Sequence, residues 1–166
     1  MHKGRVRVKK SENSIKEELE LLSRLKHPFI VNLHYAFQDE KFLYMVTDLM
    51  EGGDLRHHMK TKKDWTEDQT KFILANVIAG LEYMHHNGVI HRDIKPENLL
   101  IGNDGYISIT DMGVSRMWDE NNADDTSGTP GYMAPEVMCR QNHNHAIDFY
   151  ALGVIGYEMM LGHRPY

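Results

Sequence analysis

The chain has 166 residues, 41% hydrophobic and 26% charged, with a formal net charge of −5. That is enough for one domain with a real core, and the acidic balance argues against a general nucleic-acid binder. A lone cysteine, Cys139, excludes an intrachain disulfide and fits a reducing compartment, so a cytoplasmic location is expected, with the nucleus also open.

The opening residues, Met1 to Lys10, are basic and lack the apolar core of a signal peptide. A helix is predicted to follow over about Ser11 to Leu25, where Ile15, Leu19, Leu22 and Leu25 form an apolar stripe. His27-Pro28 should end it. Ile30 to Phe37 and Phe42 to Asp48 read as strands, with Gln38-Asp39-Glu40-Lys41 as their turn. Gly52-Gly53 marks a bend. A long helix is predicted from Thr66, with Gln69 completing a capping box and Ile73, Val77, Leu81 and Met84 facing the core. Asn87-Gly88 should close it. Asn103-Asp104-Gly105 predicts a hairpin between short strands around Leu99 and Ile107. The last predicted helix covers His145 to Leu161. Asp148 and Glu158 interrupt that apolar run, so no membrane span is expected.

Three motifs follow one another in order. They are His91-Arg92-Asp93-Ile94-Lys95-Pro96-Glu97-Asn98, then Asp111-Met112-Gly113, then Ala134-Pro135-Glu136, led in by Gly128-Thr129-Pro130-Gly131-Tyr132-Met133. With them the chain resembles the eukaryotic protein kinase family along nearly its whole length. The resemblance implies an α+β, bilobal fold. Residues 1–47 would be a partial N-lobe, 48–54 the hinge and 55–166 a partial, mainly helical C-lobe. It implies ATP-dependent phosphorylation of Ser or Thr on protein substrates, with ATP and Mg²⁺ as cofactors and neither nucleic acid nor membrane as partner.

By that resemblance Asp93 is the base that takes the acceptor hydroxyl's proton. Lys95 is the cation aimed at the transferring phosphate, and Asn98 and Asp111 are the metal ligands. Met112 stands where the family usually has Phe. It would pack with Leu22, Leu33 and His91 in an internal stack resting on Asp148. Glu18 matches the helix glutamate that pairs with a nucleotide-binding lysine. Thr47 would guard the adenine pocket, and the backbones of Asp48 and Met50 would meet the adenine edge. Leu55 and Leu100 would form its floor, supported by Ile155 and Met159.

Gly52-Gly53-Asp54-Leu55, Tyr35-Ala36-Phe37-Gln38-Asp39 and the His27 to Leu33 segment look most like the group containing the cyclic-nucleotide-dependent kinases. In that group, carboxylates at the positions of Asp54, Glu97 and Glu158 hold arginines N-terminal to the acceptor. Thr129 would line the same acceptor site. Asp125 occupies the position of an activating phosphothreonine, where it would face Arg92 as a permanent carboxylate or be simple loop charge. Thr126 and Ser127 are further candidate phosphosites. His85-His86 and His143-Asn144-His145 are expected to be surface histidines, since no ligand set completes a zinc site.

The matching lysine would lie two residues before Met1, with the Gly-rich loop before that. The expectation is therefore a kinase-domain fragment with little turnover by itself. A catalytically inert, kinase-like interaction module and an incomplete gene model stay open beside the enzyme reading.

Overall fold

The computed structural model describes residues 1–4 and 12–166. The basic run Arg5 to Lys10 and the expected helix start at Ser11 lie outside the described residues. Helix α1 (Glu12–Arg24) buries Leu21 and Leu22, with Leu25 just beyond its end, while Ile15 and Leu19 are half-buried. Strands β1 (Leu33–Gln38) and β2 (Leu43–Thr47) form an antiparallel pair. Their turn is set by Asp39, whose Oδ1 accepts from Lys41 N (2.7 Å) and Phe42 N (2.6 Å).

The first strand starts at Leu33 rather than Ile30 because the preceding residues are diverted. Val31 N donates to Ile109 O (2.9 Å) and Ile109 N to Phe29 O (2.9 Å). Asn32 then donates through Nδ2 to His27 O, Ile30 O and Asp48 Oδ2. One amide side chain thus joins the exit of α1 to the end of β2.

Helix α2 (Leu55–Thr61) was not legible as a helix, being seven residues long with a single buried residue, Leu55. Asp54 caps it by accepting from His57 N (2.8 Å). Helix α3 (Glu67–His86) has the predicted capping box, with both Thr66–Gln69 bonds at 3.2 Å. Ile73, Val77, Leu81 and Met84 are all buried. Strand β3 (Val89–Ile90) pairs with β6 (Arg116–Met117), and β4 (Leu99–Ile101) with β5 (Ile107–Ile109) across the predicted hairpin. Helix α4 (Pro135–Met138) is one turn, and α5 (Ala146–Leu161) ends on Gly162 at φ 77°, a left-handed cap suited to glycine.

The main core joins α1, α3 and α5 with the β4–β5 hairpin and the fully buried Met112. This is the α+β arrangement expected from the sequence. Phe149, Tyr157, Met160 and Leu161 of α5 are exposed. Among the described residues no helix is long and apolar enough to cross a membrane.

Candidate active site

The loop after β3 is organised by one buried carboxylate. Asp148, on α5, accepts from His91 N (3.0 Å), Arg92 N (2.8 Å) and His85 Nε2 (2.8 Å). Removing these backbone donors from water costs free energy unless they are paired, and a charged acceptor pairs them strongly. Arg92 adopts φ 70°, a left-handed conformation that costs a non-glycine residue roughly 1–3 kcal/mol. Its contacts to Asp148 and Val114 O (2.7 Å) offset that strain.

Asp93 follows from this bend. Its Oδ2 accepts from Lys95 Nζ (2.6 Å) and from Asn98 Nδ2 (3.3 Å), and its Oδ1 accepts from Thr129 Oγ1 (2.6 Å). Lys95 Nζ also donates to Thr129 Oγ1 (2.9 Å), and Asn98 Nδ2 to Asp93 O (3.0 Å). Four expected site residues therefore form one cluster. A hydroxyl already donates to the carboxylate that would accept a proton, beside a cation that can meet negative charge.

Asp111 is carried to this cluster by β5. Thr110 N donates to Asn98 O (3.0 Å), and Thr110 O pairs with His91 Nε2 (3.0 Å). Asp111 sits at φ 68° with Oδ1 accepting from Gly113 N (3.1 Å). Aspartate tolerates this region better than most residues. Glu18 lies near it. Burial, and then the Asp111 charge, push the Glu18 carboxyl above its ordinary range. Two neighbouring carboxylates are chemistry that a divalent cation would ease. With Nδ2 engaged, Asn98 offers its amide oxygen, and Asp111 its carboxylate. Two protein oxygens suit Mg²⁺, which takes few protein ligands and completes its shell with water and phosphate oxygens.

The expected nucleotide residues are contiguous around the hinge. Gly52 N donates to Ile101 O (2.9 Å) and Ile101 N to Gly53 O (2.8 Å), which sets Leu100 beside Asp54. A Cβ on Gly52 would sit 2.7 Å from Ile101 O, so the approach needs glycine. Thr47 is exposed, and Met50 and Leu100 are half-buried. Leu55 is fully enclosed in the core, where Ile155 and Met159 also lie. The Asp48 carboxylate accepts from Asn32 and His34; burial opposes its ionisation, but these bonds hold it below the usual range. Two cavities, about 480 and about 510 Å³, lie elsewhere, one beside Arg92 and Arg116 and one between α1 and the β1–β2 pair.

The expected substrate carboxylates are already partnered. Arg56 of α2 donates through Nε to Glu97 Oε1 (2.9 Å) and through its two terminal nitrogens to Glu158 Oε1 (2.7 Å) and Oε2 (3.2 Å). It also contacts the Tyr132 hydroxyl, which donates to Glu158 Oε2 (2.6 Å). Burial works against the Arg56 charge, but the bonds to Glu158 and Glu97 outweigh it and raise its pKa. Burial likewise opposes the Glu158 charge, yet Arg56 and Tyr132 hold its carboxyl below the ordinary range. Asp54 serves as the cap of α2.

At the other flank, Arg92 forms an ion pair with Asp125, and Ser127 Oγ donates to Asp125 Oδ1 (3.2 Å), while Thr126 is exposed. Burial, then neighbouring Arg116, push Arg92 down to about 10. Arg116 itself meets Glu17 at 3.4 Å.

The expectation of surface histidines is corrected at two positions. His85 is half-buried, with its side chain against Asp148, and His143 is buried because Asn122 grips both its backbone N–H (2.9 Å) and its carbonyl (2.8 Å). Sequence reasoning also missed Arg56, Tyr132 and Arg116. The one available signal for Arg56 was a cation two residues from Asp54. No group of three or more His, Cys, Asp or Glu side chains among the described residues could hold a metal alone.

Comparison with known proteins identifies the family. The protein kinase domain family matches residues 1–166. A probable serine/threonine-protein kinase of Dictyostelium discoideum is 40% identical over 99% of the chain, and protein kinase 2 of the same organism is 40% identical over 100% of it. Human ribosomal protein S6 kinase alpha-1 is 43% identical over 91% of the chain. The chain spans 36%, 35% and 21% of those proteins' own lengths. With its motifs assembled around Asp93 and the family matched from end to end, this chain belongs to the protein kinase domain family.

Proposed function

We propose that the protein transfers the terminal phosphoryl group of ATP to a serine or threonine hydroxyl of a protein substrate. The observation that carries this reading is the Asp93 carboxylate held between the Lys95 ammonium and the Thr129 hydroxyl. Phosphoryl transfer asks a protein mainly for positioning and charge stabilisation, and this cluster offers both. Asp93 would orient the acceptor hydroxyl and take its proton as the oxygen attacks. Lys95 would meet charge on the transferring group. Asn98 and Asp111 would hold Mg²⁺ with the nucleotide, and the chemistry a bound Mg²⁺ supplies is neutralisation of phosphate charge. Thr47, Asp48, Met50 and Leu100 would receive the adenine.

Within the family we place the chain beside the group containing the cyclic-nucleotide-dependent kinases, on its Gly52-Gly53-Asp54-Leu55 hinge exit and its Tyr35 to Asp39 segment. An intracellular location, cytoplasmic or also nuclear, is part of the same reading and rests on Cys139 being the sole cysteine. The expected preference for a basic acceptor residue at Glu97 and Glu158 is not kept, because Arg56 already engages both carboxylates.

The test is incubation of the purified protein, at its full natural length, with labelled ATP, Mg²⁺ and matched peptides carrying Ser, Thr or Tyr. Label on Ser and Thr peptides that requires Mg²⁺ is expected. Label on the Tyr peptide alone, or nucleotide binding without any transfer, would reject the reading. The second pattern would favour the interaction module.

A further inference from the structure

The Glu97–Glu158 pair lies against the acceptor side of the catalytic cluster. Glu97 is two residues beyond Lys95 on the Pro96–Asn98 turn. Glu158 is reached through Tyr132, whose backbone N–H donates to the carbonyl of Thr129 (3.1 Å), the residue that touches Asp93. An extended polypeptide advances about 3.3 Å per residue, so one that presents a hydroxyl to Asp93 runs past this pair within a few residues.

Two adjacent carboxylates in such a place form a cation site, and the chain fills it itself. Arg56 donates to three of the four carboxylate oxygens, and its side chain is only 16% exposed. It is also pre-positioned, because Asp54 caps its helix and the neighbouring Leu55 is fully buried. A tethered, preorganised group competes at high effective concentration against one arriving from solution.

We infer that Arg56 is the specificity-determining residue of the acceptor face: it closes the Glu97–Glu158 site with the chain's own guanidinium, so the protein does not select for a basic residue there. The inference rests on the kinase reading for its function, but it is tested by binding and not by turnover. Without Arg56, Glu158 would keep, among the described residues, the Tyr132 hydroxyl as hydrogen-bond partner and the weaker influence of the Arg164 charge, and a half-buried carboxylate pair would recruit an external guanidinium. Arginine fits because its planar fork can span two carboxylates, which a lysine ammonium cannot do equally well.

The experiment measures fluorescence anisotropy of labelled serine peptides with the purified protein and no nucleotide. One peptide carries norleucine at every position before the serine; the others carry a single arginine moved through those positions. Wild type is expected to bind the whole set within about twofold. Arg56→Met, which keeps the apolar stem, should favour an arginine peptide at one or two positions by about tenfold or more. Adding Glu158→Gln should erase that gain. Arg56→Lys, the gentler change for folding, should show a smaller gain at the same position. A wild-type preference of about tenfold for one arginine peptide, lost in Glu158→Gln, would overturn the inference. So would equal binding, or none, across the set in Arg56→Met and Arg56→Lys. Gained arginine preference in a protein that transfers no phosphate would support the inference while sinking the kinase reading.

Discussion

Arg56 and Arg92 are two guanidinium groups flanking the same catalytic loop, and their surroundings are opposite. Arg56 is surrounded by acceptors, with both Glu158 oxygens and one Glu97 oxygen, and its charge is favoured despite burial. Arg92 is deeper, has Arg116 beside it and is pushed down to about 10, with the partly exposed Asp125 as its ion-pair partner. One site is saturated with negative charge; at the other, burial and Arg116 outweigh the charges of Asp148 and Glu17. The saturated site should act as structure that refuses a further cation. The Arg92 site should respond to any added or removed negative charge, which is what a control point on the Asp111 to Glu136 segment requires.

Breaking the saturated site should have the larger effect on stability. Arg56→Met leaves Glu158, 14% exposed, without its cation, and should destabilise the fold by about 2–4 kcal/mol. At this chain length that is a fall of very roughly 5–15 °C in Tm by thermal unfolding. A change below about 1 °C would mean that the cluster contributes nothing to stability.

The next effect is on pH dependence. The folded Glu158 pKa lies below its ordinary value, so its stabilisation is present above the unfolded pKa of about 4.3 and is lost as pH falls through the lower folded value. Glu158→Gln should therefore melt below wild type at pH 7, with the gap closing in acid below about pH 4. A gap that widens in acid would reverse the assignment.

The Arg92 site is sharpened by turnover. Asp125→Ala should lower activity by about tenfold, because it removes the ion-pair partner of Arg92, whereas Asp124→Ala should leave it near wild type. Phosphatase treatment of the wild-type protein should not silence it. If it does, Thr126 or Ser127 is the switch and Asp125 is only loop charge. The smallest effect is expected at Glu17, half-exposed and 3.4 Å from Arg116, where Glu17→Gln should shift Tm by no more than about 1–2 °C.

These contrasts also show which parts of the molecule could be read from its sequence. Helix α3 was legible because Thr66 and Gln69 announce its start and its apolar face has helical period. Asp93, Lys95, Asn98 and Thr129 were legible through the family resemblance that their motifs carry, and the structure brings all four together. Helix α2 was not, since seven residues with one buried side chain carry no period. Strands β3 and β6 are two residues each and pair across a long separation. The Arg56 cluster escaped for the same reason, as its partners lie 41 and 102 residues away in sequence. His143 looked like a surface residue because its burial depends on Asn122, not on its own neighbours. Local pattern reports local structure; ion pairs across the fold leave no local trace.

Deprotonation of the acceptor hydroxyl by Asp93 is the step on which the proposed phosphoryl transfer rests. Its most direct test is the rate of transfer from ATP to a serine peptide by wild type and Asp93→Asn, with peptide binding measured in parallel. The account predicts a fall in kcat of about 10²–10⁴, the usual worth of a positioned general base, with peptide affinity nearly unchanged. An Asp93→Asn protein that transfers phosphate at the wild-type rate, or that loses only peptide affinity, would contradict it.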